Sequence, residues 1–168
     1  KEVYGLLADN DKRKSAYFIV TKNGVIGTGK LKQTSATVAD GGSNVIVLRY
    51  ADVLLMLAEC YAEKDNVSKS NEYLNLIKKR AGIEEVSIGD VTLIKEEIAL
   101  ERRKELVNEG HRWFDLIRTG KAVEVMNAYF TRTPGYTGIT ISELNYVQPI
   151  PQGQIDTDSA TKQNEGYN

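Results

Sequence analysis

Hydrophobic positions along the chain change period near residue 49, and the change separates two kinds of structure. Before it, "SAYFIVTKNGVIGTGKL" carries β-rich runs on both sides of Asn23-Gly24. That dipeptide is the strongest short-range hairpin signal, and it predicts strands at residues 16–21 and 25–30. The polar, glycine-rich "KQTSATVADGGSN" predicts a loop leading into helices. After it, "RYADVLLMLAECYAEKDN" places Leu54, Leu57, Ala58 and Tyr61 on one helical face. "EKDNVS" breaks that helix, with Ser68 as the expected N-cap of the next. "KSNEYLNLIKKRAG" then puts Tyr73, Leu74, Ile77 and Ala81 on a second face and ends at Gly82, behind basic residues suited to a helix C-terminus.

Residues 49–82 make a helix–turn–helix unit of 34 residues, the tetratricopeptide length. Small residues fall at Ala58 and Ser70, where that repeat needs close helix approach, but Leu54 and Gly82 replace its usual Trp and Pro. One such unit cannot bury both of its faces, so it requires partner helices. A third helix is expected from an Asp90 N-cap to Asn108, stopping at Gly110. A fourth is expected over residues 112–119, and "KAVEVMNAYF" reads as a further turn or two. Beyond it "TPGYTGIT" reads as loop. "YVQPIPQGQ" is held extended by Pro149 and Pro151, and the polar "DTDSATKQNEGYN" is ordered only if tied down. The expected class is mainly α with a small β-hairpin, in one domain or fragment. Its parts are hairpin and loops (1–48), helix pair (49–82), charged helices (90–130) and extended tail (131–168).

The third and fourth helices meet in "ERRKELVNEGHRWFDLIRTG", dense in ionisable groups and holding the chain's only Trp and only His. At about 100° per residue, Ile94, Ile98 and Leu106 share a face with Arg102, Glu105 and Glu109. Leu93, Leu100 and Val107 form a second apolar stripe, which predicts a helix sandwiched between neighbours. Charges at such positions must be paired. Local spacing offers Arg102 with Glu105, Arg112 with Asp115, and Arg118 one turn beyond Asp115. Trp113, Phe114, Leu116 and Ile117 read as core rather than as a sugar platform.

Composition narrows the chemistry. The chain is 41% apolar and 27% charged with a net charge of −1, without the basic stripe of a nucleic-acid binder. "DKRK" (11–14) reads as a solvated turn. One Cys and one His leave no disulfide framework and no zinc set, and Cys60 reads as a small core residue. No cofactor fingerprint, P-loop, serine elbow or HExxH motif is present, and no run approaches the roughly 18 apolar residues of a membrane span. The chain starts at Lys1 rather than Met, which suggests a mature or truncated product. Glu105 and Glu109 could be set up as the two carboxylates of a glycosidase. A general acid, however, needs an uncharged apolar setting, and nearby arginines should hold both glutamates ionised. A structural ion network is the favoured reading. Tyr4, Tyr17 and Phe18 lie in the loop-and-hairpin part, where aromatics could stack on a ligand or simply pack the hairpin.

Taken in order, "RYADVLLMLAE", "LNLIKKRAGI", "ERRKELVNEGHRWFDLIRTG", "PIPQGQI" and the terminal "QNEGYN" resemble the C-terminal half of SusD/RagB-type outer-membrane nutrient-binding proteins. "DKRKS" with its hairpin and Lys30 is similar to the family's segment before these helices, so the likeness spans residues 9–168. It implies a surface lipoprotein of the outer membrane that binds a glycan or other nutrient without catalysis. Such a protein acts as a lid on a SusC-like TonB-dependent transporter. The resemblance also implies that Glu101, Arg102, Glu105, Glu109, Arg112, Asp115 and Arg118 belong to the helical scaffold. Family members carry their lipid anchor and most of their tetratricopeptide-like helices in an N-terminal half that this chain lacks, and Cys60, inside a helix, is no such anchor. Two alternatives stand beside this reading: a tetratricopeptide-like protein-interaction module without sugar binding, and the glycosidase.

Overall fold

The computed structural model describes residues 2–30 and 46–167. Two compact units divide the chain, Lys1–Arg112 and Trp113–Asn168. In the first, two short helices, α1 (Glu2–Leu6) and α2 (Lys12–Tyr17), precede an antiparallel hairpin of β1 (Phe18–Val20) and β2 (Ile26–Thr28). Three longer helices follow: α3 (Tyr50–Glu63), α4 (Val67–Ala81) and α5 (Val91–Glu105). The boundary falls at the start of α6 (His111–Arg118). The second unit continues with α7 (Ala122–Arg132), a 3-10 turn at Glu143–Tyr146 and α8 (Gln152–Thr157). The described residues are therefore mainly α-helical with one small hairpin, as the periodicity predicts.

The core of the first unit is the meeting of α3, α4 and α5. Leu54, Leu55 and Ala58 of α3 pack with Leu74 and Ile77 of α4 and with Ile94 and Ile98 of α5. Each fully buried Leu or Ile contributes about 1.5–3 kcal/mol. The α3–α4 approach is close because the facing residues are small. Buried Ser70 donates its hydroxyl to the Ala58 carbonyl (2.8 Å), and Tyr61 stacks on Tyr73 at 5.5 Å. Gly82 ends α4 at a φ of 78°, where a side chain would be strained. The segment after it is pinned by two amides one turn apart on α4. Asn71 exchanges a pair of hydrogen bonds with the backbone of Ile88 (2.8 and 3.0 Å), and Asn75 does the same with Val86 (2.8 and 2.9 Å).

The second unit uses the same device. Asn127 of α7 clamps both backbone groups of Ile141, and Gln163 clamps those of Ile150. Asn164 adds a hydrogen bond to the Gln148 carbonyl, so Gln163 and Asn164 tie down the polar tail. Trp113 meets Tyr146 edge to face at 6.1 Å.

Several expectations need correction. The segment over 1–48 is not only hairpin and loop, because Asp11 caps α2 by accepting from the Arg13 backbone N–H (2.9 Å) and that helix takes residues 16 and 17 from the expected strand. Nor is "DKRK" simply a solvated turn, since Asp11 and Arg13 are buried. The N-cap of α4 is Asn66, two residues before Ser68. Helix α5 stops at Glu105 rather than Asn108, and Asn108 has a left-handed φ of 63°. Its second stripe is not sandwiched among the described residues: Leu93 is 56% exposed, while Leu100 and Val107 are half-buried. Cys60 is exposed, because α3 turns residues 51, 54, 55, 58 and 62 inward and leaves Cys60 with Val53 and Met56 outside. Phe114 is 69% exposed and so is not core, although Leu116 is buried. α7 runs 11 residues rather than a turn or two, and α8 interrupts the extended tail directly after Pro151. The loop expected over 32–44 lies outside the described residues.

Candidate functional site

Two arrangements in the first unit gather polar chemistry. One is centred on the C-terminal end of α5, where Glu101 and Glu105 lie one turn apart on one side and Glu109 follows in the turn beyond the helix. Like charges at that spacing repel, so the helix needs cations from elsewhere. They come from four other segments. Arg13 of α2 holds Asp11 through two parallel contacts (3.0 and 2.7 Å) and reaches Glu101 Oε1 and Glu105 Oε2 (3.2 Å) with Nη1. Arg80, at the end of α4, donates to Glu105 Oε2 (2.6 Å). Arg49, at the N-cap of α3, donates to Glu105 Oε1 (3.0 Å) and Glu109 Oε2 (2.7 Å). Lys30, after the hairpin, pairs with Glu109 and stands 4.0 Å over the Tyr17 ring. The Tyr17 hydroxyl donates to Glu105 Oε1 (3.1 Å).

Arg49 and Lys30 also donate to the Glu105 carbonyl, and Lys30 to that of Val107 (3.3 Å). They thereby satisfy carbonyls that the end of α5 leaves open. Elsewhere along α5, Lys78 of α4 pairs with Glu97, one turn before Glu101, and lies 3.9 Å from Glu101, while Arg102 pairs with Asp52 of α3 at 2.8 Å. In the second unit Arg118 pairs with Asp115 at 2.8 Å.

Burial by itself would raise the carboxyl pKa of Glu105. The charges of Arg80, Arg49 and Arg13 outweigh it and hold the carboxyl below the ordinary value. Glu109 is likewise lowered: burial pushes it up, and hydrogen bonds from Arg49 and Lys30 push it further down. Neither can supply the raised pKa that a glycosidase acid needs at neutral pH. The geometry is that of a charge-compensated joint between helices, not of an acid–base pair.

The second arrangement is a cavity of about 460 Å³ bounded by α1, α2 and β1. Tyr4, Phe18 and Val20 supply its apolar lining. Tyr4 and Phe18 stand edge to face with ring centres 5.5 Å apart, a favourable aromatic geometry. Asp9, Asp11, Lys14 and Ser15 supply polar groups. Lys14 Nζ donates to Asp9 Oδ1 (2.7 Å) and lies 4.9 Å over the Tyr4 ring. Of the three aromatic candidates from the sequence, the fold brings Tyr4 and Phe18 together here. It turns Tyr17 away, with its hydroxyl on Glu105.

The SusD family profile matches residues 4–167. The chain belongs to the SusD family. Two SusD-like proteins of Formosa agariphila are 39% and 32% identical to it over 93 and 131 residues. Those matches cover 50% and 74% of this chain but only 18% and 24% of the relatives, so the chain spans a minor part of their length. A SusD superfamily protein of Bacteroides vulgatus is 31% identical, with a TM-score of 0.63 over 74% of this chain and 28% of its own. Surface glycan-binding protein A of Bacteroides thetaiotaomicron aligns with 98% of this chain and 40% of its own, at 28% identity and a TM-score of 0.74. The SusD/RagB resemblance carried by the helical motifs and the "QNEGY" ending therefore extends through almost the whole chain.

The sequence pattern places Glu101, Glu105 and Glu109 together near the end of the third helix but gives no sign of their partners. Arg13, Lys30, Arg49 and Arg80 sit 25 to 92 residues away from Glu105 along the chain, beyond any local pairing rule. The readable signal was the surplus of glutamates on a face that also carries Ile94 and Ile98.

Proposed function

We propose that this SusD-family chain forms part of a non-catalytic nutrient-binding protein that captures a glycan at the cell surface. The protein delivers it to a SusC-like TonB-dependent transporter in the outer membrane. The observation that carries the reading is the SusD family match over residues 4–167. Structural neighbours at 28% and 25% identity, covering nearly the whole chain, are surface glycan-binding proteins of Bacteroides thetaiotaomicron and Bacteroides uniformis. In this role α3, α4 and α5 act as scaffold, held by the ion network. Ligand contacts come from loops and aromatic groups around it, and no bond is made or broken. In this reading, attachment to the membrane runs through a lipid anchor, as the family resemblance implies; no described helix is long and apolar enough to cross a bilayer.

The test is calorimetric titration of the full-length protein with a panel of polysaccharides, alongside co-purification with its transporter. Micromolar binding of one glycan class with no release of reducing ends is expected. Absence of binding to every glycan, together with tight binding of a peptide or protein, would replace this reading with the tetratricopeptide-like interaction module.

A further inference from the structure

We infer that the cavity between α1, α2 and β1 is a binding site for an uncharged sugar ring, with Tyr4 and Phe18 as its apolar wall and Asp9, Lys14 and Ser15 as its hydroxyl partners. This rests on the glycan-binding role proposed above, but adds a location and a class of ligand. Its size lies in the range of small-molecule clefts, roughly 300–1,000 Å³. A pyranose ring has an apolar C–H face and a rim of hydroxyls; the cavity offers apolar surface from Phe18 and Val20 beside the Tyr4 ring, over which the Lys14 ammonium stands as a donor. Its aromatic wall is in place without a ligand, and the edge-to-face contact of Tyr4 and Phe18 favours that arrangement.

The polar groups sort by availability. Asp11 is spent: Oδ1 accepts from the Arg13 backbone N–H and Nε, and Oδ2 from Nη2. Asp9 differs, being fully exposed, with Oδ1 on Lys14 and no hydrogen bond to Oδ2 among the described residues. The Lys14 ammonium has three donors, and the Ser15 hydroxyl, which donates to the Lys12 carbonyl (3.3 Å), keeps its lone pairs. An acceptor, a multiple donor and a hydroxyl thus rim an aromatic wall.

The charges decide the class. Asp11 is neutralised by Arg13 and Asp9 by Lys14, so among the described residues that line the cavity no uncompensated cation remains to hold a uronate or a sulfate ester. Binding an anionic sugar through Lys14 would also set its charge against the Asp9 carboxylate that this ammonium now compensates. A neutral glycan meets no such opposition.

The experiment titrates the full-length protein with neutral probes (maltoheptaose, cellohexaose, xyloglucan) and anionic ones (polygalacturonate, a sulfated fucan). Each variant's melting temperature is recorded in parallel. A neutral probe is expected to bind, and Tyr4→Ala and Phe18→Ala are each expected to weaken it about tenfold or more. Asp9→Ala, a change at a fully exposed side chain that leaves packing intact, is expected to weaken it about threefold to tenfold. Two results overturn the inference while leaving glycan capture standing: neutral binding unchanged in folded Tyr4→Ala and Asp9→Ala variants, or wild-type binding confined to anionic probes. No binding to any glycan overturns both.

Discussion

Glu105 is the position where the structural reading is easiest to break. The carboxylate has no solvent exposure and accepts from Arg13, Arg49, Arg80 and Tyr17. Glu105→Gln keeps the shape, removes the charge and turns one acceptor oxygen into an NH₂ that faces donors. The cost depends on how buried each partner is. Arg80 is 51% exposed, so losing its partner costs it under about 1 kcal/mol. Arg13 is 3% exposed and cannot be solvated instead, so hydrogen bonds between charged groups there count at about 1.5–3 kcal/mol each. The total falls in the range for breaking a buried ion pair, about 3–5 kcal/mol. For a chain of this size that lowers Tm by about 6–20 °C. Thermal melts followed by far-UV circular dichroism read the change, with Lys69→Gln, in the exposed pair with Glu72, as the mild comparison, lowering Tm by less than about 4 °C. A Glu105→Gln melt within about 2 °C of the unaltered protein would refute the view that this carboxylate holds the helices together.

Acid should act on the same joint. Asp11, Glu105 and Glu109 have folded pKa values below their ordinary ones of 3.8 and 4.5, each through nearby basic groups that overcome the rise from burial. Their stabilisation is complete above the ordinary range and is lost as pH falls through the lowered values. Tm should hold from neutrality to about pH 5 and drop below it, and stability that rises on acidification would contradict this. Tyr17 behaves oppositely: burial, then the Glu105 charge, pushes its phenol above the ordinary value of 10. Its contribution is present below that value and is lost as pH rises through the higher one, so spectrophotometric titration should show a late phenol step that Tyr17→Phe deletes. Asn75→Ala strips the backbone N–H and C=O of Val86 of their partners. A cost of about 1–3 kcal/mol is expected, with faster hydrogen exchange at the Val86 amide.

Much of the helical framework was legible because it rests on local rules. The 3.6-residue spacing of Leu54, Ala58, Leu74 and Ile77, the Asp90 cap, the Gly82 stop and the Asn23-Gly24 turn each act within one or two turns of backbone. The ordered motifs likewise placed the chain among its relatives. What only the tertiary structure decided is which partner a polar group finds. Arg13 could be a solvated basic residue in "DKRK" by any local measure. It is buried because α2 packs where Glu101 and Glu105 converge, 88 and 92 residues later. Asn71, Asn75, Asn127 and Gln163 looked like ordinary polar residues and became clamps on distant backbone. Tyr17 and Phe18 are neighbours in sequence, yet one turns into the ion network and the other lines the cavity. Periodicity reports which face of an element is buried, because burial follows the backbone repeat. The pairing of charges and amides depends on distances between elements, and those exist only once the chain has folded.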